Sequence, residues 1–172
     1  MTQQNLAQAF MSKVNQNAVF VRRATGIHQA YLDKATADGW RRGPRDNAAK
    51  TKPNICPFDE LSVAVQASNT APMESVFGYL AEQVDALGIE TLAELRDLAH
   101  SLLNDTGDKV PSEELGERTW KVWARYAQAA EPTHSNLVAS YGELDQGTKD
   151  YDLGLNATAV KYLIELIDEE SK

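Results

Sequence analysis

A shift of 83 positions brings the chain onto itself, and no other feature restricts its fold so strongly. Glu60-Leu61 falls on Glu143-Leu144, Tyr79-Leu80 on Tyr162-Leu163, Glu82 on Glu165 and Phe58 on Tyr141. Upstream the offset becomes 92, pairing His28 with Trp120 and Tyr31 with Trp123. The nine-residue change lies in a connecting loop, longer in the first copy. The competing reading is chance similarity between two amphipathic helical stretches. A true duplication predicts two like units sharing one core, a size that 172 residues accommodate.

The apolar spacing is helical almost throughout. Phe20, Ala24, Ile27, His28, Tyr31, Leu32 and Ala35 recur at three- and four-residue steps and stop at Gly39. Residues 39–57 hold three Pro, two Gly and five Lys/Arg, a loop composition. Met73, Val76, Phe77, Leu80, Val84 and Leu87 form the next stripe, between Pro72 and Gly88. Thr91-Leu92-Ala93-Glu94 reads as a capping box, Ser112 as a cap for the helix carrying Leu115, Trp120, Trp123 and Tyr126, and Ser140 through Glu143 as a second box. The final stripe is Val160, Leu163, Leu166 and Ile167. Asn54-Ile55-Cys56 and Leu137-Val138-Ala139 are expected to pair as minor strands. The expected fold is therefore mainly α, with two pseudo-repeated helical-pair units and minor short strands. A first unit with an N-terminal helix spans 1–88, a connecting helix and loop 89–111, and a second unit 112–172.

Charge is distributed unevenly. The chain carries a formal net charge of -8, yet residues 13–52 hold nine Lys/Arg against three Asp/Glu, a local excess of +6. Its focus is Gly39-Trp40-Arg41-Arg42-Gly43-Pro44-Arg45-Asp46. Guanidinium groups pair phosphate in bidentate fashion and indole stacks on a base, so this loop suits a small anion with a flat face. The overall acidity argues against extended nucleic acid as a partner. Each residue also has a plainer role. Trp40 can anchor the loop rather than stack on a ligand. Arg41, Arg42 and Arg45 can be solvated or paired with the acidic remainder. Tyr31 and Phe58 can be core with a ring edge at a pocket, and His28 can be a hydrogen-bonded structural histidine.

Three segments together resemble the RyR domain, the module named for the ryanodine receptor. They are Ile27-His28-Gln29-Ala30-Tyr31, Gly39-Trp40-Arg41-Arg42-Gly43 and Lys52-Pro53-Asn54-Ile55-Cys56-Pro57-Phe58-Asp59-Glu60-Leu61. The pattern is His-x-x-aromatic, then Gly-Trp-x-x-Gly, then Pro-aromatic-x-x-Leu leading into a helix. Residues 20–87 fit it. Residues 113–168 form a degenerate copy in which Trp120 replaces the His, the Gly-Trp-x-x-Gly element is missing and Ser140 replaces Pro. The resemblance implies paired helices flanked by short strands, often as a pseudo-twofold pair, and ligand binding without catalysis. Some modules similar to this one are associated with nucleotides, including nucleotide second messengers.

Catalytic patterns are poor. His100 and His134 lack neighbours at metal-ligand spacing, and no Gly-x-Ser-x-Gly, phosphate-loop or dinucleotide motif occurs. The expectation is a non-enzymatic protein without metal or cofactor, in which His28, Tyr31, Trp40, Arg41, Arg42, Arg45 and Phe58 bind a nucleotide for sensing or sequestration. The alternative is an adaptor whose basic loop docks an acidic protein. Charge complementarity and the aromatic face of Trp120, Trp123 and Tyr126 suggest a homodimer. The single Cys56 and the absence of an apolar leader or an ~18-residue apolar run point to a cytoplasmic protein without a membrane span, in the host cytoplasm for a viral source.

Overall fold

Asn5 opens the first helix by accepting a hydrogen bond from the Gln8 amide, and α1 (Leu6–Val14) turns Ala7, Phe10, Met11 and Val14 inward. The computed structural model describes residues 5–172. It continues with α2 (Asn17–Ala37), β1 (Arg41–Arg42), β2 (Thr51–Lys52), a 3-10 turn at Phe58–Glu60, α3 (Val63–Ser68) and α4 (Ala71–Leu87). Then come α5 (Leu92–Ser101), α6 (Glu113–Ala130), a second 3-10 turn at Tyr141–Glu143 and α7 (Gln146–Glu170). The protein is mainly α, and its one sheet among the described residues is the parallel pair of β1 with β2. Residues 54–56 and 137–139, expected as strands, are irregular instead. Their backbone is used differently: the carbonyls of Cys56 and Asn136 accept side-chain donors from the helices.

The two 3-10 turns stand 83 positions apart, and so do the outer bounds of α3 plus α4 (63–87) and of α7 (146–170). One helix in the second unit is two in the first because Pro72 stands where Leu155 does. Proline lacks the amide donor and its ring crowds the preceding turn, so the first copy breaks at Asn69-Thr70 while the second runs through. Equivalent positions share one core: Val76 with Ala159, Phe77 with Val160, Leu80 with Leu163 and Val84 with Ile167 are all buried. Phe20 closes it edge-on to Phe77, with ring centroids 5.4 Å apart.

The first helix of each unit packs across onto the other unit while also touching its own. α2 packs on α7 and α6 on α4. Arg118 of α6 lies 5.4 Å from the Tyr79 ring and pairs with Glu82 at 2.9 Å. Reciprocally, Arg23 of α2 lies 4.8 Å from the Tyr162 ring and pairs with Glu165 at 2.9 Å. Neither unit thus completes its own surface, and the pseudo-twofold relation places the faces of α2 and α6 around a common space. No helix among the described residues is long and apolar enough to cross a membrane.

A candidate ligand cavity on the pseudo-twofold

The common space is a cavity of about 730 Å³, well within the range of small-molecule sites. Its walls are built from equivalent residues of both units. Ile27, His28 and Tyr31 of α2 face their counterparts Thr119, Trp120 and Trp123 of α6. Val65, Ser68, Asn69 and Pro72 around the α3–α4 break mirror Thr148, Tyr151, Asp152 and Leu155 of α7.

The polar edges of these rings are fixed from outside. The Nε2–H of His28 donates to the Cys56 carbonyl at 2.7 Å, and the indole Nε1–H of Trp120 donates to the Asn136 carbonyl at 2.9 Å. Thus a His and a Trp at equivalent positions perform the same task, tying a helix to the loop that follows it. His28 then stacks on Tyr31, centroids 5.8 Å apart, and Tyr31 leans on Tyr151 at 5.7 Å. Trp123 carries His134 edge-on at 5.0 Å. Burial raises the Tyr31 hydroxyl to about 12, so it stays a neutral donor. Burial, with Arg45 nearby, lowers His134 to about 4, leaving that ring neutral near pH 7.

The longer first loop closes one side. Gly39 ends α2 with φ +85°, a left-handed conformation that other residues adopt at a cost. Gly43 lets the backbone meet Thr51, whose side chain a Cβ would contact at 3.1 Å. Between them Trp40 turns toward the cavity. The Lys52 ammonium lies 3.9 Å from the Trp40 ring centroid and 5.8 Å from that of Tyr151, a cation held between two aromatic faces. Burial, then repulsion from Arg45, lowers the Lys52 pKa, with only Asp145 opposing. Arg45 crosses to the second unit, where its Nε and Nη2 donate to the two oxygens of Glu131 at 3.0 and 2.9 Å. Among the described residues its Nη1 donors have no acceptor.

His28, Tyr31, Trp40 and Arg45 therefore line one cavity. The other three residues expected at the site lie outside it. Arg41 is exposed on β1, since a strand residue there faces solvent. Arg42 is exposed and pairs with Glu60. Phe58 packs against His28 at 6.0 Å, behind the wall. The aromatic face expected to join two copies is also occupied within the chain. Trp120 is buried, Trp123 faces the cavity, and the Tyr126 hydroxyl donates to Glu74 at 3.1 Å.

Sequence reasoning placed the site in the first unit alone. The offset of 92 already paired Trp120 and Trp123 with His28 and Tyr31, so those two were within reach. Lys52 belonged to the basic segment but stood apart from the arginines. Nothing in the spacing singled out Tyr151 or Asp152. In comparisons with known proteins, the chain matches no protein-family model and no curated protein.

Proposed function

We propose that this protein binds a small anionic ligand, a nucleotide, in the cavity between its two units, without transforming it, in order to sense or sequester it. The observation that carries this reading is Lys52. It is a half-buried ammonium in an aromatic cavity, beside the guanidinium of Arg45, with no carboxylate in ion-pair contact among the described residues. A cation so placed is destabilised by its surroundings until an anion arrives, and a phosphate is the anion Lys52 and the spare Arg45 donors fit together. Trp40, Tyr31, Trp123 and Tyr151 supply flat faces for a base. The RyR-like character of the chain is part of the same proposal.

The test is a thermal-shift series with mono-, di- and cyclic nucleotides, followed by calorimetry on parent and Lys52→Met. A ligand at one hundred times its Kd adds about 2.7 kcal/mol to stability, or roughly 5–10 °C for a chain of this size. Lys52→Met is expected to weaken binding by at least about tenfold and to flatten its salt dependence. Full affinity in Lys52→Met would remove the cation from the site. The adaptor reading has one observation in its favour, the exposure of Arg41 and Arg42 on β1 outside the cavity. It predicts that Arg41→Ala with Arg42→Ala abolishes capture of an acidic protein while nucleotides leave the melting temperature unmoved.

A further inference from the structure

Four carboxylates line the cavity, and three are already engaged. Asp38 accepts from the Tyr151 hydroxyl at 2.9 Å and pairs with Lys34. Asp145 caps α7 by accepting from the Thr148 amide at 2.8 Å and its hydroxyl at 2.9 Å. Asp150 accepts from Gln146 at 3.0 Å and pairs with Lys109 at 3.3 Å. Asp152 alone has no hydrogen-bond or ion-pair partner among the described residues, and burial holds its carboxyl up to about 7. The contrast with its counterpart is direct. Asn69, 83 positions earlier, satisfies itself by donating to the Val65 carbonyl at 2.9 Å. The neighbouring Thr119 hydroxyl cannot serve Asp152 either, because it donates to Asn156 at 2.7 Å.

The cavity is thus polarised. The first unit contributes the cations at its loop, and the second contributes one carboxylate, Asp152, with neither oxygen engaged among the described residues. A ligand that satisfies both carries an anion at one end and hydrogen-bond donors at the other. Resting on the nucleotide reading above, we propose that Asp152 selects the base, and that the base is guanine. Above about pH 7, where Asp152 is ionised, guanine presents N1–H and N2–H side by side, two donors that the carboxylate accepts together. Adenine and cytosine present an amino group next to a bare acceptor nitrogen, which the ionised carboxylate faces unfavourably and only the protonated acid, below about pH 7, would match. Uracil and thymine place one N–H between two carbonyl oxygens. A site built around a hydrogen-bonding group rejects the analogue that leaves that group unpaired far more strongly than an apolar wall rejects a misfit.

The experiment is calorimetric titration of GMP, IMP and AMP at pH 8, where Asp152 is ionised, into the full chain and into Asp152→Asn. IMP keeps N1–H and lacks the N2 amine. The parent is expected to bind GMP at least tenfold more tightly than IMP or AMP. Asp152→Asn, which carries the side chain its counterpart Asn69 already has, is expected to lose that preference by at least tenfold. Equal binding of GMP and AMP by the parent, or a guanine preference that survives Asp152→Asn, would overturn the assignment of Asp152 while the anion site stands. Lys52→Met separates the two proposals, since it should weaken all three nucleotides alike. Failure of all three to bind the parent would overturn both. If Asp152→Asn does not fold, the ratio of GMP to IMP affinity in the parent decides.

Discussion

Thr119 and Asn156 form the one polar contact that the second unit has where the first has two apolar residues, Ile27 and Met73. Both are buried, with exposures of 2% and 0%. The Thr119 hydroxyl donates to Asn156 Oδ1 at 2.7 Å, and the Asn156 Nδ2 has no partner in the described structure. A near-isosteric Thr119→Val change removes the only donor to Asn156 and strands its whole amide. The cost should be about 1–3 kcal/mol, the penalty for a buried polar group left unmade. Asn156→Leu strands only the Thr119 hydroxyl, which can turn to the carbonyl one helical turn back, at Leu115, so that change should cost under about 1 kcal/mol. The double variant removes every polar atom of the pair and should be as stable as the parent, or more so by about 1 kcal/mol. Denaturant unfolding of the four proteins gives the coupling energy, expected near 2 kcal/mol in favour of the matched pairs. Thr119→Val should also melt roughly 4–8 °C lower. Additive effects in the double variant, or equal cost from either single change, would refute the reading of this pair as a self-contained polar unit in an apolar layer.

Two further outcomes follow from the same geometry. Asp152, raised to about 7 by burial, binds a proton in the native state between its unfolded pKa of 3.8 and 7, so its contribution to stability falls as pH rises through that window. His134, lowered to about 4 from 6.5, does the opposite and loses stability as pH falls below 6.5. The two offset each other in the parent. Asp152→Asn should therefore gain stability at pH 8 and then lose it as pH falls from 6.5 to 4.5, where His134 is no longer offset; urea midpoints that track the parent at every pH would contradict this. Separately, Gly116→Ala should destabilise by about 1–3 kcal/mol. A Cβ there runs into the Tyr141 hydroxyl and meets Leu153 at 3.1 Å, and Tyr141 is buried against Trp120 with nowhere to retreat. Circular-dichroism melting checks it.

Much of the fold was legible because it is local. The capping box at Thr91, the Ser112 cap, Pro72 in the first turn of α4 and the left-handed Gly88 each act through neighbouring residues, and each lies where the spacing put it. The repeat was legible for a related reason. The buried pairs at an offset of 83 must fill equivalent points of one core, which restricts Leu80 and Leu163 to similar side chains. The strands were not legible. β1 and β2 are two residues each, held by the Arg41 amide on the Lys50 carbonyl and the Gly43 amide on the Lys52 carbonyl rather than signalled by any alternation of apolar residues. The lining of the candidate cavity was half legible. The charge excess pointed to the loop, but charge alone does not say which side chain turns inward. Arg41 and Arg42 alternate along an exposed strand, while Lys52 is drawn in by the face of Trp40.

The nine extra residues of the first loop give the cavity its direction. In the second unit the corresponding link is short and keeps to its own side, with Trp120 tied to Asn136 and His134 against Trp123. In the first unit the link reaches across the pseudo-twofold. Arg45 pairs with Glu131, Lys52 approaches Tyr151, and Asp38 accepts from the Tyr151 hydroxyl. A duplicated pair of helices by itself encloses a symmetric space, with aromatic rings facing each other and no preferred end. The added loop breaks that symmetry by placing cations on one side. With the partner units holding each other through reciprocal Arg–Tyr–Glu contacts elsewhere, the loop is free to specialise without carrying the fold. Under the proposed function, a bound ligand would be oriented by charge at the first unit's loop and by hydrogen bonding at the second unit's helix. On that proposal, stability and selectivity would reside in different residues of the same repeat.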